Sequence, residues 1–283
     1  MKKVIALLLL AALLLCGCGE PAATEAPTEP LGELKVHFID VNHGDGMLVE
    51  CNGEFMLIDA GESYAGPTVT TYLKNLGVGK LDIVVSTHPH SDHMSGFATV
   101  LQEFPLGTVY RNNRTSNEPC YINFVSILKE QNITAKVLKA GDSFTLGKAS
   151  VKVVGPLQEY SNVNNTSLVL MIEFGENRFL LTGDMEQMAE NDLIASGADL
   201  KADVLKTGHH GSNSSTCAAF LDAVQPKYGV ISVGRKNAHD LPDAGPIFRM
   251  EEKNVTVYRT DTMGTIVATS DGKNITFTQE LTP

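Results

Sequence analysis

The sequence predicts a layered α/β fold. Strand-like and helix-like segments alternate along almost the whole chain, and polar loops follow the ends of the predicted strands. No repeat of fixed period is visible in the sequence. With 283 residues and 43% hydrophobic side chains, the chain can bury a core large enough for one such domain.

Short apolar or alternating segments bounded by turn residues predict the strands. The dipeptide Asn52-Gly53, for example, is typical of a tight hairpin turn between two of them. The predicted strands cover residues 34–39, 46–50, 54–58, 81–85, 108–110, 135–138, 150–154, 167–174, 178–182, 202–206, 228–233, 254–258, 264–268 and 274–277.

Apolar residues at helical spacing predict five helices between these strands. The first ends at Gly77, a residue type that is common just after a helix. The predicted helices cover residues 66–76, 94–103, 121–131, 186–195 and 214–223.

The first residues are typical of an export signal. Two lysines precede an unbroken apolar run over residues 4–15, which is too short for a transmembrane helix. Leu15 and Gly17 before Cys18 resemble the bacterial lipobox, so we expect a mature protein that begins at a lipidated Cys18. An ordinary signal peptide cut nearby is the alternative.

This reading divides the chain into three parts. Residues 1–17 are the signal peptide, residues 18–33 are a lipidated N-terminus and flexible tether, and residues 34–283 are the folded domain. The tether is rich in Pro, Ala, Thr and Glu without a periodic apolar face. We therefore expect an exported protein anchored by its lipid to the outer face of the cell membrane.

Charge and cysteine content exclude several classes of protein. The formal net charge of -11 disfavours broad electrostatic attachment to nucleic acid or anionic lipid. The five cysteines are too few and too scattered for a disulfide scaffold or a thiolate zinc site.

One short loop carries the strongest chemical signal. His88, His90, Asp92 and His93 place three imidazoles and one carboxylate within six residues, directly after a predicted strand. Residues two apart in an extended loop point the same way, so His88 and His90 can hold one ion while Asp92 and His93 turn toward another. Nitrogen and oxygen donors suit zinc, with manganese or iron as alternatives. A polar loop of structural histidines is the competing interpretation.

Residues 87–96 resemble the metal-binding signature of metallo-β-lactamase-fold hydrolases. Within that family the chain is similar to the extracytoplasmic hydrolase domain of ComEC-type competence proteins, and phosphorylcholine esterases are related. The resemblance implies an αββα sandwich, with two central mixed sheets flanked by helices, and two divalent metal ions. The further motifs that carry it cover residues 38–41, 44–46, 57–61, 165–170, 181–184 and 205–212.

The resemblance also implies roles for three later residues. Asp184 bridges the two metal ions and takes part in catalysis, although by its position alone it is equally suited to cap a helix. His210 joins Asp92 and His93 at the second ion. His209 faces the substrate, where it binds a phosphate oxygen or protonates the leaving group.

Other residues are weaker candidates for ligand support or substrate contact. Asp40, Asp45 and Asp59 follow or flank strands and serve either as supports for ligand imidazoles or as turn residues. The wider fold has a histidine where this chain has Asn164 and Asn165. Near the end of the chain, Leu241 stands where ComEC-type proteins usually have a histidine. His239 can reach the pocket that this histidine would line, if the loop permits. The weaker candidates are Asp40, Asp59, Asn165, Asn237 and His239.

We expect a dinuclear metal-dependent hydrolase that acts as a phosphodiesterase or nuclease through an activated water, with DNA as one candidate substrate. The alternatives are a hydrolase of a cell-envelope phosphodiester, such as a phosphorylcholine ester, or of a lactam or other amide. A non-catalytic surface binding protein is a third. No protein partner is implied. Cations that could flank the site are Arg111, Arg114, Lys206, Arg235 and Lys236, although a solvated surface charge is the more common role for any one of them.

Overall fold

Two mixed β-sheets stacked face to face form the centre of the computed structural model, which describes residues 31–235 and 237–280. The predicted signal peptide, the lipidation site Cys18, most of the predicted tether and Lys236 lie outside these residues.

The first sheet has eight strands in the order β15-β14-β1-β2-β3-β4-β5-β6. Strands β3 to β6 run parallel, and β1, β2, β14 and β15 make antiparallel pairs. The strands are β1 (Leu34–Phe38), β2 (Gly46–Cys51), β3 (Glu54–Ala60), β4 (Leu81–Ser86), β5 (Leu106–Arg111), β6 (Lys136–Val137), β14 (Thr265–Ser270) and β15 (Ile275–Glu280).

The second sheet has seven strands in the order β13-β12-β11-β10-β9-β8-β7. Strands β10 to β13 are parallel, and β7 to β10 are joined by antiparallel pairs. The strands are β7 (Ser143–Leu146), β8 (Ala149–Gly155), β9 (Val169–Phe174), β10 (Asn177–Leu181), β11 (Val204–Lys206), β12 (Tyr228–Ile231) and β13 (Thr256–Arg259).

Strand periodicity separates the core into layers. In β2, Met47 and Val49 face the opposite sheet, whereas Leu48 between them faces the helices, because successive side chains of a strand point to opposite faces. Phe174 and Phe179 of the second sheet join the same inter-sheet core. Both faces of each sheet are therefore covered by apolar contacts.

Helices cover the outer face of each sheet. Three of them, α1 (Gly66–Asn75), α3 (Phe97–Glu103) and α4 (Pro119–Glu130), pack on the first sheet. On the second sheet lie α5 (Gln187–Ala195), α6 (Ala218–Val224) and α7 (Ala244–Glu252). Short helices α2 (Ser91–Met94) and α8 (Thr260–Met263) complete the set within the described residues. This arrangement confirms the predicted αββα sandwich.

The predicted helix over residues 94–103 is wrong as one continuous element. Helical hydrogen bonding is interrupted at Ser95 and Gly96, between α2 and α3, where the Gly96 amide donates to the Gly61 carbonyl oxygen at 2.9 Å. Gly96 packs so closely on β3 that a Cβ there would lie 1.9 Å from the carbonyl oxygen of Ala60. The predictions missed β7 and α7, because β7 has only four residues and α7 carries Gly245 and Pro246 in its first turn. They also missed α2 and α8, which are four residues each.

Within the described part of the chain, no helix combines the length and apolar character required to cross a bilayer.

Candidate metal centre

The candidate site lies where the carboxyl ends of parallel strands from both sheets meet. His88 follows β4, Asp184 follows β10, and His210 follows β11. Parallel strands direct the loops at their carboxyl ends to one edge, which is where α/β sheets hold their ligands. Side chains far apart in the sequence therefore converge at this edge.

The loop after β4 supplies four of these side chains. His90 is extended and precedes α2, which carries Asp92 and His93 in a single helical turn. The Asp45 amide donates to the carbonyl oxygen of Asp92 at 3.1 Å, which ties this turn to the loop after β1. Gly44 permits that approach, because it has φ of 112° and a Cβ would lie 2.0 Å from the same oxygen.

Asp184 lies at the centre of the cluster. Its Oδ2 is 3.2 Å from His93 Nε2 and 3.7 Å from His88 Nε2, and its Oδ1 is 3.3 Å from His210 Nε2. Asp92 Oδ2 lies 3.1 Å from His210 Nε2. Asp184 does not cap α5, since Glu186 precedes that helix. The carboxylate of Asp184 is therefore shared by imidazoles from both sheets.

Two overlapping ligand groups follow from this geometry. One contains His88, His90 and Asp184, and the other contains Asp92, His93, Asp184 and His210. Within each group, one donor atom per residue lies within 4.8 Å of all the others. The structure thus brings together all six residues that the sequence analysis proposed as metal ligands.

A layer of acceptors behind the cluster orients the histidine rings. Asp59 Oδ2 lies 2.8 Å from His93 Nδ1 and accepts the Thr87 hydroxyl at 2.6 Å. The Ser232 carbonyl oxygen lies 3.0 Å from His210 Nδ1. These contacts place the ring protons on Nδ1 and leave both Nε2 lone pairs directed at the cluster.

A buried ion pair lies beneath the second ligand group. Lys206 Nζ is 2.8 Å from Asp45 Oδ2, and neither side chain is exposed. Asp45 Oδ1 is also 3.4 Å from His210 Nδ1. Lys206 was predicted as a cation flanking the substrate, and this prediction is wrong, because the side chain points into the protein and donates to the Thr207 carbonyl oxygen.

The cluster contains buried carboxylates, and burial makes their negative charge unfavourable unless cations lie beside them. Burial alone would raise the pKa of Asp184, but His210 and His93 hold that pKa well below its usual value. Burial would likewise lower the pKa values of His93 and His210, yet the carboxylates, above all Asp184, raise both well above the usual range. The site therefore requires cations, either as protons on imidazoles or as metal ions.

The donor set fits divalent metal ions. His93 Nε2 and Asp184 Oδ1 are buried without a hydrogen-bond partner, as expected of atoms reserved for a ligand. Burial lowers the pKa of His88 well below its usual value, so this imidazole is neutral and able to bind a metal. Imidazole and carboxylate donors suit zinc, manganese and iron, so the donor types do not select one metal.

A cavity of about 440 Å³ opens above the cluster. His209 lines it, and its Nδ1 lies 3.0 Å from Glu186 Oε1 and 3.1 Å from Ser214 Oγ. His239 also lines the cavity, so it reaches this pocket, as does Leu241. His209 is thus held by its neighbours with its ring at the wall of an open cleft.

Three of the weaker candidates form hydrogen bonds with backbone groups of nearby loops. Asp40 accepts the Asn42 amide in a turn, and the Asn165 side-chain oxygen accepts the Glu186 amide. The side chain of Asn237 stabilises its own loop through two hydrogen bonds to the backbone of Leu241. Its amide nitrogen donates to the Leu241 carbonyl oxygen, and its amide oxygen accepts the Leu241 amide.

Several residues of the site were not among the predicted candidates. His43 lines the cavity, with its Nε2 3.4 Å from Asp92 Oδ2 and its ring 4.9 Å from that of His239. Burial, followed by the neighbouring His210, lowers the pKa of His43 to about 4. Asn164, next to the predicted Asn165, lines the cavity and donates to Glu186. An imidazole in the glycine-rich loop after β1 was the only sequence signal for His43.

Comparison with known proteins agrees with this geometry. The sequence profile of the metallo-beta-lactamase superfamily matches residues 39–235. ComE operon protein 3 of Bacillus subtilis is 29% identical over 253 residues, covering 83% of this chain and 33% of that protein. Competence protein ComA of Neisseria gonorrhoeae is 31% identical over 241 residues, covering 84% of this chain and 32% of that protein. The chain spans about a third of the length of these curated relatives.

Solved structures with the same fold are more distant in sequence. CmlA, a diiron beta-hydroxylase from Streptomyces venezuelae, aligns with a TM-score of 0.56 at 16% identity, covering 81% of this chain and 53% of CmlA. The metallo-beta-lactamase fold protein YhfI from Bacillus subtilis aligns with a TM-score of 0.54 at 11% identity, covering 80% of this chain and 95% of YhfI. At identities this low, the likeness shows the fold alone.

Proposed function

This chain belongs to the metallo-beta-lactamase superfamily, and on that premise we propose that it is a dinuclear metal-dependent phosphodiesterase that acts outside the cytoplasm. One observation carries the proposal: the Asp184 carboxylate is common to two ligand groups at the floor of an open cavity. A shared carboxylate is how proteins hold two cations close together, because it offsets their repulsion.

When bound, two divalent ions lower the pKa of a shared water and offset negative charge on the attacked centre. The protein's own residues position the substrate. His209 is anchored through Nδ1 by Glu186 and Ser214. Its Nε2, which lies 3.4 Å from Asn164 Nδ2, is the ring nitrogen left to bind a phosphoryl oxygen or to protonate a leaving group. His43 and His239 line the same cavity with their rings 4.9 Å apart, where they can contact the rest of the substrate.

A phosphodiester suits this cavity better than a lactam does. Most of its lining residues are polar, and they include the imidazoles of His43, His209 and His239, which belong to neither ligand group. These rings offer hydrogen-bond donors to the oxygens of a tetrahedral phosphate. Leu241 stands where ComEC-type proteins usually have a histidine, so one hydrogen-bond donor to the phosphate is lost. We propose that His239, which lines the same cavity, supplies another.

The cellular location follows from the sequence alone. We propose that the protein is exported and anchored by a lipid on Cys18 to the outer face of the cell membrane. The lipobox-like residues 15–18 and the polar tether that follows support this location. Replacing Cys18 with alanine should release the protein from membranes, and a variant that fractionates like the parent would refute the lipid anchor.

The names of the curated relatives make DNA a candidate substrate. ComE operon protein 3 and competence protein ComA share most of this chain but are three times its length, so their role as whole proteins does not transfer. The net charge of -11 gives no general attraction to a polyanion. We therefore propose hydrolysis of phosphodiesters without tight non-specific binding of DNA.

Turnover by the metal-loaded protein tests the activity. The full chain, loaded separately with zinc, manganese and iron, should hydrolyse bis(p-nitrophenyl) phosphate and lose this activity in a chelator. Asp184→Asn should lower kcat by about 1,000-fold or more. Asp222→Asn, the same change at an exposed position of α6, should leave turnover unchanged.

Parallel assays with DNA, a phosphorylcholine ester and a chromogenic lactam distinguish the alternatives. Hydrolysis of small diesters without DNA cleavage would point to an envelope phosphodiester. Efficient lactam hydrolysis with every phosphodiester left intact would refute the phosphodiesterase, and metal binding without any turnover would indicate a binding protein.

A further inference from the structure

Three cavities that share lining residues, together called the groove, begin at the metal centre. The central cavity shares His90 with a second cavity of about 330 Å³, and the second shares Arg114 and Thr115 with a third of about 310 Å³. Shared lining residues make the three cavities neighbours in a row. A substrate longer than one phosphodiester can therefore continue past His90 toward Arg114.

Arg114 is the only lysine or arginine that lines any of these three cavities, among the residues that the structure describes. Its Nη1 donates to the Tyr160 carbonyl oxygen at 3.4 Å, and the rest of the guanidinium is at the surface. A guanidinium offers several donors in a fixed planar arrangement that matches two phosphate oxygens.

Both walls of the groove are held by buried contacts. The buried Asn112 side chain donates to the Thr166 carbonyl oxygen at 2.8 Å, tying the loop after β5 to the loop before β9. The Tyr160 hydroxyl donates to Asp192 of α5 at 2.7 Å. The position of Arg114 relative to the metal centre is therefore set by the fold and not by a free loop.

The charged residues that line the three cavities indicate the direction in which an anionic chain would leave the site. Carboxylates of Glu62 and Asp243 line the central cavity, and no arginine or lysine among the described residues accompanies them there. Glu118 and Glu159 also line the outer cavities, so the groove is not a continuous positive channel. Recognition at Arg114 would thus involve a single phosphate.

We propose that Arg114 forms a subsite for a second phosphate in a linear chain of phosphodiesters, beyond the scissile phosphate on the His90 side of the central cavity. This inference rests on the proposed phosphodiesterase and narrows its substrate to a polymer or oligomer with repeated phosphates. Single-stranded DNA and a glycerol phosphate polymer share this chemistry.

The test compares substrates with one and with several phosphates. For the full metal-loaded chain, kcat/KM is measured on a thymidine dinucleotide, a six-nucleotide thymidylate strand and a glycerol phosphate hexamer. Arg114→Gln should lower the ratio of kcat/KM for long over short substrate by about fivefold, the upper range for an exposed pair. It should also make the salt dependence shallower by about 0.7 in log-log slope, as for one lost phosphate contact.

Two further variants separate charge from structure. Arg114→Lys keeps the charge and should keep the salt slope. Lys201→Gln removes an exposed charge in the loop that precedes β11, at the end of that strand away from the site, and should leave the ratio unchanged.

A lower ratio for either long substrate supports the subsite and identifies the chain that it accepts. An unchanged ratio in Arg114→Gln, or an equal loss in Lys201→Gln, overturns the subsite while the phosphodiesterase stands. A parent protein that hydrolyses bis(p-nitrophenyl) phosphate but neither the dinucleotide nor a longer chain overturns the subsite alone, and a parent protein that hydrolyses no phosphodiester overturns both proposals.

Discussion

The buried pair of Lys206 and Asp45 allows a quantitative test of how the metal centre is supported. Lys206→Met leaves the fully buried Asp45 carboxylate without the ammonium that now lies at 2.8 Å. Removing one partner of a buried pair costs about 3–5 kcal/mol of unfolding free energy, because the other charge stays buried. Asp45→Asn should cost less, since Lys206 keeps carbonyl acceptors at Thr207 and Gly183.

The double variant should lose less than the sum of the single variants. With both charges removed, no uncompensated ion remains in the interior, so we expect an interaction energy of about 2–3 kcal/mol. The four proteins are unfolded in urea with a chelator present, so that metal affinity does not contribute, and free energies are obtained by linear extrapolation.

An exposed pair provides the control for this cycle. Lys74 and Glu103 join α1 to α3 at 2.7 Å, and both side chains are about half exposed. Lys74→Met and Glu103→Gln should couple by less than about 1 kcal/mol. If the Lys206 and Asp45 variants are additive to within about 0.5 kcal/mol, the reasoning about the buried pair is refuted.

Three further predictions concern the ligands, a buried histidine and a glycine. Asp184→Asn should lose metal while His209→Gln keeps it and loses turnover; elemental analysis showing equal metal loss would contradict these roles. Burial lowers the pKa of His37 to about 4, so its contribution to stability is full above pH 6.5 and is lost as pH falls toward 4. The change amounts to about 3 kcal/mol, and urea unfolding of His37→Asn should lack this part of the slope. Gly96→Ala places a Cβ against a backbone carbonyl of β3 and should cost about 2 kcal/mol or more, whereas Gly79→Ala, with open space around it, should leave the Tm within error.

Local sequence patterns predicted most of the strands, the layered α/β class and the ligand loop, whereas the αββα sandwich was predicted from the family resemblance. The short apolar runs of β2 and β3 and the turn residues Asn52 and Gly53 between them are local features, and they correctly predicted both strands. The loop from His88 to His93 was recognisable because its donors lie within six residues. The break between α2 and α3 was missed, because Gly96 interrupts the helix through a contact with β3 that local sequence does not encode.

The sequence by itself determined which residue types are available for chemistry. Tertiary structure decided which of them meet. Asp92 contacts His210 across 118 positions of sequence, and Lys206, which looked like a surface cation, became the buried partner of Asp45. His43 had no predicted role until the loop after β1 brought it to Asp92.

Side-chain direction is the physical reason for this division. Neighbouring residues in a loop can point to opposite sides, so Asn164 lines the cavity while Asn165 holds the Glu186 backbone. Residue identity specifies the donor atom, but only the packed loops from both sheets specify where that atom lies. A metal centre depends on distances that are defined to a few tenths of an ångström, and only the complete fold sets them.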